Sequence, residues 1–287
     1  MRPWPVVLAL LVPGPLAAQE GRLDVGLGVS SGTYLFEERT TTWSLATGAG
    51  VELGGVTLRG SLPIYLQNST LIAGSGMGHI PTGGSSSGAV ADSGDARRRG
   101  DRSGPSAGSA APDFSHGAVE VPPSAVQGYQ AALGDPTLTL AWRTRGRRAT
   151  TLGLGITVKV PVADTATFGT GRWDAGASAS VSHGLGRFLL GLDLAYWRLG
   201  DLDDLALRDP VCATGSLGYL GPGGWGGTVL LSGGTAVLEG YEAPISIGAG
   251  VHRLTGGQSW SLLSTLGLSE TAPDLTLGVL WGARLTR

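Results

Sequence analysis

Charge is scarce in this sequence. Of its 287 residues, 15% are Asp, Glu, Lys or Arg, where a soluble domain carries about a quarter. The formal net charge of −2 leaves no electrostatic footprint for nucleic acid, so none is expected as a partner. Cysteine is reduced to Cys212, which excludes an internal disulfide and reads as a small strand residue. Histidine occurs four times, at His79, His116, His183 and His252, and none has metal-ligand spacing with Cys, Asp or Glu. No metal or cofactor is therefore expected. A Ser-His pair at Ser182-His183 has no identifiable acid or Asn partner, so the chain is not read as an enzyme. Long apolar runs are missing too, and nothing approaches the ~18 residues that a spanning helix needs.

What is present begins with a leader. Residues 1–18 carry Arg2, an apolar run from Val6 to Val12 and small residues before Gln19, the pattern of a secretory signal peptide. Beyond it the 50 glycines follow no G-X-Y period, and Leu and Val are too frequent for wholesale disorder. Instead the chain alternates. Leu23, Val25, Leu27 and Val29 share one face of a strand while Asp24, Gly26, Gly28 and Ser30 share the other. The same period of two recurs through Leu152, Leu154, Ile156 and Val158, through Phe188, Leu190, Leu192 and Leu194, and onward to Leu275, Leu277, Val279 and Trp281, for twelve strands in all.

One side of each strand is thus apolar and the other small and mostly uncharged. A soluble sandwich would carry charge on that second face. In a bilayer the apolar side points to lipid, the small side lines a lumen, and the sheet must close because lipid leaves no backbone group a partner. Tight turns follow strands two, four, six, eight and ten, and long connections follow strands one, three, five and seven, as in outer-membrane barrels. The expected fold is an all-β transmembrane antiparallel barrel over residues 19–287, in the outer membrane of a Gram-negative-type bacterium. Outer-membrane lipid and, during biogenesis, the barrel assembly machinery are its expected partners. The Gly54-Gly55 turn sets Leu53 opposite Val56 on the outer face. Trp43, Trp142, Trp173, Trp197, Trp225, Trp260 and Trp281 lie near strand ends, where aromatic girdles sit. Residues 67–134 are rich in Gly, Ser, Ala and Pro and read as a low-complexity extracellular loop of little consequence for stability, in which the Arg97–Arg99 run and the RGD at 99–101 are solvated charge.

Around strands four to six the chain carries GDPTLTLAWR from Gly134, LGLGITVKVPVAD from Leu152, FGTG at 168–171 and WDAG from Trp173. Over roughly residues 134–200 it resembles an outer-membrane transporter family associated with the meta-cleavage pathway of phenol degradation. Ala163-Asp164 stands where that family has Gly-Asp, and Arg172 where it has a small polar residue. The resemblance implies a barrel channel for aromatic or other hydrophobic solutes and brings no functional residues with it.

Charges in the lumen phase are few: Asp24, Glu52, Arg59, Arg143, Lys159, Asp174 and Asp193. Register puts Glu52 diagonal to Arg59 and Lys159 opposite Asp174. Two readings stay open for this set: a charged constriction that filters solutes, or cross-strand neutralisation that holds a narrow barrel shut. The expected function is a passive channel for small-molecule solutes. The alternative is a non-conducting structural or surface-display barrel whose long loop is the working part.

Overall fold

A computed structural model describes residues 20–82, 126–144, 149–202 and 205–285. The leader expected over 1–18, the arginine run, the RGD and His116 fall outside the described residues. The strands are β1 (Glu20–Gly32), β2 (Thr40–Leu53), β3 (Val56–Ser69), β4 (Ile72–Ser75), β5 (Gly78–Pro81), β6 (Val126–Leu133), β7 (Thr137–Arg143) and β8 (Thr150–Lys159). They continue as β9 (Asp174–Leu185), β10 (Phe188–Arg198), β11 (Val211–Leu220), β12 (Trp225–Gly234), β13 (Ile245–Thr255), β14 (Gln258–Gly267) and β15 (Leu275–Leu285).

Each wall strand pairs antiparallel with its sequence neighbours, and β15 pairs back onto β1. β6 and β7 occupy one position in the wall, because β3 pairs with β6 along its outer part and with β7 along its inner part. The result is a closed barrel of twelve wall positions. No described helix is long and apolar enough to cross a membrane; the crossing is made by strands.

Alternation sets the faces. Leu27 is 60% exposed, Leu154 57% and Ile156 59%, and this apolar side runs round the outside of the barrel. In water so large an apolar surface would be untenable; against acyl chains it is the required one. The inner face carries Thr139, Thr157, Ser178, Ser180, Thr214 and Ser232. Tight turns close one rim. Gly54 and Gly55 (φ 60° and 96°), and Gly256 and Gly257 (φ 55° and 80°), supply the two positive φ values that a two-residue hairpin needs. Leu53 pairs with Val56 as the alternation requires.

Two expectations change. Six of the seven tryptophans sit in the outward phase, but Trp197 points into the lumen, where its ring lies against Gly176 and Gly76. Its parity, one residue past outward Tyr196, places it inside whatever its distance from the strand end. The second correction concerns residues 67–134. Residues up to Ser69 complete β3, β4 and β5 form a hairpin, and β6 is wall. Ile64 pairs with Leu133 whereas Gly60 pairs with Leu138, so one extra residue enters at Gly134-Asp135-Pro136 and shifts the alternation by one. That bulge hides β6 from a period-2 reading that starts at Leu138.

The face assignment predicts an asymmetry between neighbours. Leu154→Arg should cost about 2–4 kcal/mol near the bilayer midplane. Gly153→Ser should cost less, because its one close contact would be with the Ser180 hydroxyl, which can rotate away. Urea titration of the folded band on unheated gels checks this, and the reverse order of costs would contradict the phase.

Candidate functional site

The long loops fold inward over the lumen. Tyr34, Leu35 and Phe36 come from the β1–β2 connection, Leu71, Ile72 and Ile80 from the β4–β5 hairpin and its approach, Leu199, Leu205 and Leu207 from β10–β11, and Val237 and Leu238 from β12–β13. Together they make one buried apolar cluster, with Leu71 and Ile72 fully excluded from solvent. This is the barrel's only buried hydrophobic core among the described residues, and it is a stopper, not a wall.

The hairpin stands across the lumen and is held on several sides. Gln67, 1% exposed, accepts from Thr42 Oγ1 at 2.6 Å and donates to the carbonyl of Ile72 at 3.0 Å. Thr82 donates its backbone N–H to the Leu71 carbonyl at 3.0 Å, closing the base. Gly74 bonds the Phe168 carbonyl at 2.9 Å. Gly76 donates to Asp174 Oδ2 at 2.8 Å, and Trp197 covers the same glycine.

Asp174 belongs to a buried ionic knot. Lys159 Nζ lies 3.2 Å from Asp174 and 2.9 Å from Asp135, and donates to Thr170 Oγ1 at 2.5 Å. Lys159 is 1% exposed and the two carboxylates nearly as buried. The remaining carboxylate oxygens are spent on loop backbones: Asp135 Oδ1 accepts from Val162 and Ala163, both at 2.8 Å, and Asp174 Oδ1 from Gly200 at 3.0 Å. A cation buried this deeply persists only when it is paired and hydrogen-bonded, as here. The expected Lys159–Asp174 pairing is present in register; Asp135 and Thr170 complete it.

The motifs quoted above converge on this point. The Gly-Asp-Pro bulge delivers Asp135, and at Gly134 a Cβ would run into the Tyr65 ring. Pro136 offers its carbonyl to Val160 as β8 ends. Phe168 is 2% exposed, and at Gly169 a Cβ would lie 2.5 Å from the Ala163 carbonyl oxygen.

Between the hairpin and the inner faces of β11–β13 lies a cavity of about 270 Å³. Met77, His79, Ile80 and Val237 line it, with Cys212, Thr214 and Ser232 across from them. The His79 Nε2 is out of contact with solvent and has no hydrogen-bond partner among the described residues. Its ring packs edge-on to Tyr65 at 5.1 Å, and Glu242 lines the same cavity. Burial pushes the His79 imidazole down to about 4, so the ring is neutral at neutral pH.

Of the other lumen charges, Asp24, Glu52, Arg59 and Arg143 sit toward the tight-turn rim and Asp193 lies midway along β10. Arg59 Nε lies 3.1 Å from Asp24, and Arg22, which the sequence reading passed over, reaches the other Asp24 oxygen at 3.1 Å. Arg59 therefore turns to Asp24 and not to Glu52, through the space left by Gly48. Glu52, Arg143 and Asp193 are exposed and form no ion pair among the described residues.

The fold is that of outer-membrane channel barrels. No family model matches the chain, and no curated protein matches its sequence. Among solved structures it is similar to the COG4313 outer membrane channel from Pseudomonas putida F1, at 15% identity and a TM-score of 0.59, over 95% of this chain and 99% of that one. It also aligns with the CymD monoaromatic hydrocarbon channel, at 11% identity and a TM-score of 0.44, over 94% of this chain and 89% of that one. At 15% identity the likeness to the first is one of fold.

The neutral His79 gives the stopper a pH dependence. Its folded value lies below the unfolded ~6.5, so its contribution to docking is complete above about pH 6.5 and is lost as pH falls toward 4. Hydrogen exchange of the 72–81 amides, corrected for intrinsic rate, should quicken between pH 7 and about 4.5, and His79→Phe should flatten the change. Equal protection at both pH values in the unmutated protein would contradict the assignment.

Proposed function

We propose that the protein is an outer-membrane channel for passive uptake of small solutes, stoppered at its long-loop end by the β4–β5 hairpin. One observation carries the reading. The lumen is divided into a wall lined by small hydroxylated and glycine residues and a separately folded stopper docked on it by a buried ionic knot. Solvated tight turns face the periplasm in this reading, and the long loops face outward.

Aromatic or hydrophobic compounds are the solute class we infer. The cavity beside His79 is lined by Met77, Ile80, Val237, Leu238 and Ala272, and its size suits a single ring. The resemblance of residues 134–200 to the transporter family of phenol degradation points the same way. No catalytic role is proposed. His183 Nδ1 is engaged by Thr150 Oγ1 at 2.7 Å on the tight-turn rim, far from the stopper in the chain's topology. Outer-membrane lipid and the barrel assembly machinery remain the partners this location would require.

The stopper also favours a second reading, a barrel that is closed at rest and never conducts. Planar-bilayer recording separates the two. The channel reading predicts long closed periods broken by discrete ion steps, and swelling of loaded liposomes in small aromatic solutes. Electrical silence together with no solute flux would leave the structural reading standing.

A further inference from the structure

The tight-turn mouth of the lumen holds an arrangement that neither the stopper nor the solute cavity explains. Arg22 on β1 and Arg284 on β15 are directly registered partners, and both are in the lumen phase. Arg22 is registered in turn with Gly50 on β2, and Gly50 with Arg59 on β3. Three guanidiniums thus share one hydrogen-bonding line across four adjacent strands. Like charges directly opposite each other destabilise a sheet unless something answers them. Asp24 answers Arg22 and Arg59, each at 3.1 Å. Arg284 has no side-chain partner among the described residues. Glu20 and Glu52, the nearest other acids, face each other one step nearer the rim and form no ion pair among the described residues.

The free guanidinium borders a cavity of about 330 Å³ lined by Arg22, Leu254, Ser259, Gly282 and Arg284 among others, and no acidic side chain lines it. Gly282 leaves its floor open: a Cβ there would stand 2.9 Å from Ser259 Oγ and 3.0 Å from Asp24 Oδ1. The cup therefore offers forked cationic donors, a hydroxyl and one apolar flank, above the Asp24 carboxylate that Arg22 already neutralises.

We infer that this cup is an anion subsite and that the solute class is a compact apolar carboxylate. Guanidinium forks match carboxylate oxygens, and Arg284 has no protein carboxylate to satisfy it. The apolar body of such a solute lies against Leu254 at this end and fits the cavity beside neutral His79 at the other. The inference rests on the channel reading for its biological sense, but binding itself requires no conductance.

The test uses the full chain in detergent, titrated calorimetrically with benzoate and with its neutral isostere benzamide. Benzoate should bind and benzamide should bind about tenfold or more weakly, with the benzoate affinity falling as salt rises. Arg284→Gln should abolish the preference, and Arg284→Lys should retain part of it, while both keep the folded band on unheated gels. Equal affinity for the two probes in the unmutated protein overturns the subsite without any variant. Unchanged benzoate affinity in folded Arg284→Gln overturns it as well. A benzoate-binding barrel that is electrically silent would sink the channel reading and leave the subsite; a conducting barrel indifferent to charge would do the opposite.

Discussion

Every backbone N–H and C=O at membrane depth has to find its partner inside the wall, because lipid supplies none. The rest of the structure depends on that demand. It closes β15 onto β1, leaving the alternation of side chains to decide which face of each strand meets lipid. It also makes any interruption of the ladder costly. The Gly134-Asp135-Pro136 bulge is such an interruption in β3's pairing, and its backbone is not left empty: Gly134 bonds Pro63 and Pro136 accepts from Val160. What the bulge delivers in return is a carboxylate aimed at Lys159.

From that ion pair the outer half of the molecule is organised. Lys159 is buried with two acids, and each acid uses its second oxygen on the backbone of a different loop. Removing one partner from such a group leaves a buried uncompensated charge, typically worth several kcal/mol, so the knot behaves as a clasp with one docked state. The hairpin it clasps is small and adds little ladder hydrogen bonding of its own; its retention depends on Leu71, Ile72 and Ile80 in the shared cluster. The wall is thus held by a continuous ladder and the insert by a few docking contacts, the division expected of an element that moves.

Much of the wall was legible in the sequence because a period of two over ten-residue strands leaves little freedom. The register of the first hairpin, the small-residue lumen and the meeting of Lys159 with Asp174 all follow from alternation and turn length. The interior was not legible, for physical reasons. β4 and β5 are four residues each, so Leu71, Ile72 and Ile80 are diluted when composition is averaged over 67–134. β6 is out of phase with β7 by the bulged residue. Asp135 lies off the strand, where parity says nothing, although it stood inside the quoted Gly-Asp-Pro. Arg22 was readable: it is two residues from Asp24 on the same face, which places it beside the charge that also takes Arg59.

The central claim is that a lumenal hairpin, clasped through Lys159, covers the interior of a barrel that is otherwise a passage. The chain's single cysteine tests it without added probes, since Cys212 faces the lumen and lines the same cavity as Met77 and His79. The measurement is the rate at which a small water-soluble methanethiosulfonate reagent modifies Cys212 in the folded protein, compared with Lys159→Met. Slow modification in the unmutated chain, with at least about tenfold acceleration when the clasp is broken and the folded band is retained, is the result the structure predicts. Rapid and equal modification in both would contradict it, because the cavity would then be open whether or not the hairpin is held.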